Sequence, residues 1–215
     1  MLAVSTSPII ARYLENVPAV SISFWRMGFG ALILWIVSLV KKQAPLKNKN
    51  LKRTLIAGIL LGIHFALFFG AIKLTTIANA TFLGTLAPLF TFFIEKYILK
   101  RNHALGLLWG LGFAMCGAII IIGNRFDFSS DYTVGNLLAA SCSVFLGMAF
   151  IISENVRQNE STISFSRTLY ISAAVTLFIL SVIINDSVFN IRIDQWNIAG
   201  LLILGIVPTI FGHNS

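Results

Sequence analysis

Six residues stand out because their chemistry is costly or structurally disruptive within long apolar runs. His64 lies near the middle of one run, residues 54–72; Arg26 lies inside another, residues 20–40; Thr81, Thr85, Pro88 and Glu95 share a third, residues 77–95. At about 100 degrees per helical residue, those last four fall at about 0, 40, −20 and −40 degrees, one narrow polar stripe. Pro88 has no amide hydrogen and crowds the carbonyl of Gly84, so the helix should kink and leave backbone polar groups for a solute, a water or a hydroxyl to satisfy. The stripe is either the wall of a solute pathway or a helix contact whose threonines bond their own backbone.

His64 either binds a solute and titrates with it, or ties a neighbouring helix as a neutral imidazole. Arg26 either meets an anionic solute or reaches back to the lipid headgroups. Glu95 precedes Lys96 and is either a gating or coupling carboxylate or a plain interfacial one. The expected substrate-binding residues are therefore His64, Thr81, Thr85, Pro88 and Arg26, with Glu95 for gating or coupling. Asn79 falls opposite the stripe and should serve another helix contact or the outer mouth.

Cys116 and Cys142 sit singly in separate apolar runs, without a Cys or His at metal-ligand spacing, and read as packing residues. Phosphate-binding glycine loops, nucleophile elbows and zinc-protease motifs are missing from the sequence. Neither catalysis nor a cofactor nor a metal is expected.

Helices must position these groups. The 215 residues are 57% hydrophobic and 11% charged, with a mean hydropathy of +0.86; soluble domains carry about 25% charged residues. Apolar runs predict spans near 1–12, 20–40, 54–72, 77–95, 105–122, 134–153, 166–184 and 197–213. Two-residue alternation is absent, which argues against a barrel. Of the 16 Lys and Arg residues, eleven fall after the second, fourth and sixth spans, led by Lys41, Lys42, Lys47, Lys49, Lys52 and Arg53. Basic connectors stay on the cytoplasmic side, so the N-terminus is expected there. The net charge of +8 is then an orientation signal rather than a nucleic-acid patch.

The chain also repeats itself. Ile22-Ser23-Phe24-Trp25-Arg26 returns as Ile163-Ser164-Phe165-Ser166-Arg167 at an offset of 141, and Ile56-Ala57-Gly58-Ile59-Leu60-Leu61 returns as Ile198-Ala199-Gly200-Leu201-Leu202-Ile203 at 142. The offset pairs span two with span seven and span three with span eight, so a unit has five helices and the second copy is inverted. Such repeats build secondary transporters, whose halves rock about a site near the bilayer midplane. Residues 1–123 form the first unit and 134–215 the second; the offset implies ten helices, about eight of them in this chain, with two more expected past Ser215.

Pro18 with Phe24-Trp25-Arg26, the segment Ala78 to Glu95 with Ala80, Leu83, Leu86 and Pro88, and the glycine-rich Gly106–Gly117 resemble the EamA-type members of the drug/metabolite transporter superfamily. The resemblance covers essentially the whole chain and implies a ten-helix carrier of two inverted repeats. The expected protein is an all-α polytopic membrane protein of a bacterial inner membrane that moves a small polar metabolite. Its expected partners are the lipid bilayer, that small-molecule substrate and, as an open case, a second copy in a homodimer. The alternatives are a non-transporting membrane subunit and an inactive gene fragment.

Overall fold

The computed structural model describes residues 2–14, 16–103, 105–122, 129–186, 188–189 and 195–212. The helices are α1 (Leu2–Tyr13), α2 (Ala19–Val40), α3 (Asn48–Leu74), α4 (Ile77–Gly84), α5 (Ala87–Phe93), α6 (Leu105–Ile122), α7 (Thr133–Arg157), α8 (Thr162–Ile183) and α9 (Gln195–Gly212). A π-helical turn, Ile94–Ile98, continues α5, and a 3-10 turn, Ser130–Tyr132, leads into α7. Five segments are long and apolar enough to cross a bilayer, and Gly106–Ile120 and Trp196–Ile206 are shorter apolar helices. The protein is an all-α, multi-pass integral membrane protein.

Three helix boundaries differ from those read off the apolar runs. α3 begins at Asn48, so Lys49, Lys52 and Arg53 ride on its first turns instead of lying in a connector. α7 runs on to Arg157, and α8 begins at Thr162, which puts Arg167 inside a helix. Hydropathy marks where lipid contact ends, whereas a helix continues through the headgroup region on its own backbone bonds.

Packing follows the sequence repeat. α2 lies against α8, α3 against both α7 and α8, and α9 against both α1 and α2. Exchanging α2 with α8, α3 with α9 and α1 with α7 turns the α2/α9 contact into α8/α3 and the α1/α9 contact into α7/α3. Gly58 and Gly62 lie where α3 meets α8. A Cβ at Gly58 would stand 2.4 Å from Ser172 Cβ and 2.7 Å from the Leu169 carbonyl oxygen, and one at Gly62 would stand 2.9 Å from the Ala173 carbonyl oxygen. These two glycines let the helices approach closely. Gly106 and Gly110 on α6 have the same four-residue spacing and read in the sequence as a second close-approach pair, but a Cβ at either would meet nothing within 4 Å, and Cys116 is exposed rather than packed. α6 runs along the outside of the described bundle, so its small residues have no helix to receive.

Span four is broken. Leu86 N reaches back only to the Leu83 carbonyl at 3.3 Å, and Thr85 and Leu86 form a turn between α4 and α5. Pro88 then occupies the first turn of α5, where its missing amide hydrogen costs nothing. Two hydroxyls take carbonyls freed at the break. Thr85 Oγ1 donates to the Phe82 oxygen at 2.8 Å, and Ser143 of α7 donates to the Leu83 oxygen. The break also interrupts the helical register, so Thr81, Thr85, Pro88 and Glu95 do not continue as one stripe on a single helix.

Candidate transport site

α7 holds span four along one face, the one that Asn136, Ala140, Ser143, Gly147 and Glu154 share at helical spacing and that reads in the sequence as a packing face. Asn136 accepts from Thr75 Oγ1 at 2.7 Å and from Asn79 Nδ2 at 2.9 Å. Seven residues on, Ser143 meets the broken turn, and Gly147 lets α7 approach the Ala87 carbonyl, which would lie 3.1 Å from an added Cβ. Glu154 closes the row. Arg101 Nη1 donates to Glu154 Oε2 at 2.7 Å and to Glu95 Oε1 at 2.6 Å, so one guanidinium ties the end of span four to the end of α7. His103 Nε2 lies 3.4 Å from Glu95 Oε2. The hydrogen bond to Glu154, then the charges around it, hold Arg101 above its ordinary pKa.

His64 faces α7 from α3. Its Nδ1 lies 2.9 Å from the Cys142 carbonyl oxygen; a carbonyl only accepts, so Nδ1 carries the proton. The ring stacks at 13° on Phe68 and meets Phe65 edge-on at 64°. This is the helix tie that the sequence left open as one of two roles. Cys142 is buried beside it, and its thiol donates to the Ala139 oxygen at 3.1 Å.

On the other side of α3, a cavity of about 310 Å³ is enclosed by α3, α7 and α8. Leu61, Phe65, Leu146 and Phe165 supply apolar wall, and a row of hydroxyls from Thr162, Ser166 and Tyr170 runs up one side of α8. Arg157 and Thr162 stand at one end, where α7 gives way to α8, and Phe65 and Tyr170 lie deeper in the bundle.

Arg26 is not itself one of the lining residues, but it packs on Phe65, which is. Its guanidinium carbon is 4.4 Å from the Phe65 ring centroid and 5.8 Å from that of Phe69. It is close enough to Tyr170 for the two to interact electrostatically. At 8% exposure it is buried among rings and does not reach back to the surface. Its repeat counterpart, Arg167, is equally buried at 8%. Arg167 lies 4.9 Å from the Trp35 ring centroid, and it donates to Ser38 Oγ and, at 3.2 Å, to the Ala44 oxygen.

Residues 1–123 match the EamA-like transporter family. The chain belongs to this family. Two relatives of the EamA-like chain carry transporter names. It is 25% identical over 200 residues to "Uncharacterized transporter YyaM" of Bacillus subtilis (strain 168), covering 88% of this chain and 64% of that protein. It is 24% identical over 212 residues to "Solute carrier family 35 member G1" of Mus musculus, covering 98% of this chain and 53% of that protein. The chain thus spans between about half and two thirds of the length of these relatives. A solved crystal structure shares the fold at a TM-score of 0.67 and 19% identity, over 94% of this chain and 74% of that one.

Of the residues singled out in this EamA-like sequence, none lines the cavity; Arg26 packs on the lining residue Phe65, and the others stand elsewhere. His64 ties α3 to α7, Thr81 is half-buried on α4, and Thr85 and Pro88 are exposed at the break. Glu95 is in the Arg101 bridge. Thr162, Ser166, Tyr170, Ser153 and Arg157 were missed. A signal existed: three hydroxyl residues at 162, 166 and 170 recur every fourth position, a helical face that an apolar run conceals.

Proposed function

We propose that the protein is a secondary carrier that binds a small metabolite in the α3/α7/α8 cavity and exposes it alternately at the two membrane faces. The supporting observation is the cavity itself. It is lined by α3 of the first repeat unit and by α7 and α8 of the second, and the buried Arg26 packs on its lining residue Phe65. Carriers of inverted-repeat construction place their sites between the halves near the midplane. The exchange of helix contacts under the 141-residue offset supports inverted units at 1–123 and 134–215.

On this reading, span four is the moving element. The turn at Thr85 and Leu86, fixed by Pro88, gives it a point of flexure, with Thr81 just before it. The Glu95–Arg101–Glu154 bridge holds its far end to α7 and must open when the halves rock apart. His64 is a positioning residue that keeps Phe65 and Phe68 in place. The basic connectors support a cytoplasmic N-terminus, with the Arg157 end of the cavity on the same side of a bacterial inner membrane.

Reconstitution into proteoliposomes, with uptake measured across a panel of small metabolites, tests the function. Saturable flux of at least one solute is expected; no flux over a broad panel would refute it. Reporter fusions in the connector after α2 test the orientation, which requires that connector to stay inside.

A further inference from the structure

We infer that the ligand of this cavity is an amphipathic anion, a carboxylate on a small aromatic or branched apolar body, and that Arg26 receives its charge. This rests on the cavity being the solute site and goes beyond it by naming the chemical class.

The two repeat-related arginines make the argument. Both are cations in membrane-spanning helices, where an ionised side chain is expensive unless its charge and its hydrogen atoms are met. A guanidinium presents five N–H donors. Arg167 spends its donors on Ser38 and on the Ala44 carbonyl, and so clamps α8 to the end of α2 and the connector beyond it. Arg26 is buried to the same 8%. Among the described residues, no hydrogen bond and no carboxylate reaches it, and its neighbours are the faces of Phe65 and Phe69, with Tyr170 and His64 near enough to interact electrostatically. An aromatic face attracts the charge and leaves the in-plane N–H groups unused. A planar carboxylate is the group that matches that fork.

The cavity walls narrow the class further. Its lining contains Phe65, Phe150 and Phe165 with leucines between them, which call for an apolar body. Among the described residues the lining contains no Asp or Glu, and Arg157 stands as a cation at its end. A cationic ligand would meet like charge without compensation. A sugar or polyol would leave many hydroxyls against phenyl and leucine surface. An anion with an apolar body satisfies both halves of the lining. The volume of about 310 Å³ suits a small molecule.

Three near-isosteric probes decide the class: phenylacetate, phenethylamine and 2-phenylethanol. Binding to the purified chain is read as ligand-dependent thermal stabilisation in detergent. Phenylacetate is expected to bind about ten-fold or more tightly than either of the others. Arg26→Gln should abolish that preference and Arg26→Lys should restore part of it. Arg167→Gln should lower stability without changing the order of the three probes. The inference is overturned if the amine or the alcohol binds as well as the acid, if phenylacetate does not bind at millimolar concentration, or if Arg26→Gln keeps the preference. The three wild-type affinities decide the charge class even if the Arg26 variants do not fold. Flux is scored separately. Selective carboxylate binding without flux of any solute would count against the carrier and leave the site, whereas flux of amines or neutral solutes alone would leave the carrier and remove the anion.

Discussion

Replacing Gly58 by alanine tests whether the close approach of α3 and α8 is real. The new Cβ would stand 2.4 Å from Ser172 Cβ and 2.7 Å from both Ser172 Oγ and the Leu169 oxygen. Carbon atoms in contact settle at about 3.5–4.0 Å, so the helices must part by about 1 Å or more. That movement stretches the bond from Ser172 Oγ to the Leu55 oxygen, now 2.8 Å, out of range. Overpacking costs about 1–3 kcal/mol, and the lost bond adds about 0.5–1.5 kcal/mol. Alanine regains about 1 kcal/mol of helix propensity over glycine, leaving a net loss of about 0.5–3.5 kcal/mol. Gly28→Ala is the internal control, because nothing lies within 4 Å of its Cβ and only the propensity gain remains. Unfolding in mixed micelles with rising dodecyl sulfate, followed by circular dichroism, compares the two. Equal stability of the two variants, within about 0.5 kcal/mol, would refute the α3/α8 packing.

Asn136→Ala should cost about 1–3 kcal/mol, because the Thr75 hydroxyl and the Asn79 amide both lose their acceptor; the same unfolding assay reads it, and an unchanged midpoint contradicts the network. His64→Ala should lower stability by about 1–3 kcal/mol through the lost Cys142 bond and ring packing. Its apparent affinity for a transported solute should hold, and an affinity change without a stability change would place His64 in the site instead. Pro88→Ala restores an amide hydrogen that can heal the break in span four. Stability should hold or rise while flux slows, and unaltered flux in proteoliposomes would remove span four as the flexing element.

The eight apolar runs, the kink ahead of Pro88 and the α7 packing face were all legible in the sequence. Each is a local matter: hydropathy over about 20 residues, one missing amide hydrogen, one helical periodicity. The role of Glu154 was half legible, since its place on the packing face could be seen and its bond to Arg101 could not. Lys49, Lys52 and Arg53 were misread as connector charges because a helix start is set by backbone bonding, which hydropathy does not record. The glycines of α6 were misread because a small residue permits an approach without supplying the helix that approaches.

By itself the sequence determined the environment, the helical class and the offset that relates Arg26 to Arg167, because these depend on composition and on order along the chain. Only the tertiary structure decided what the two arginines do. Hydroxyl and carbonyl groups from α2 and the connector beyond it, more than a hundred residues away, satisfy Arg167. Among the described residues, α3 offers Arg26 the phenyl faces of Phe65 and Phe69 and no hydrogen-bond acceptor. A buried charge is structural or functional according to which partners the fold brings to it.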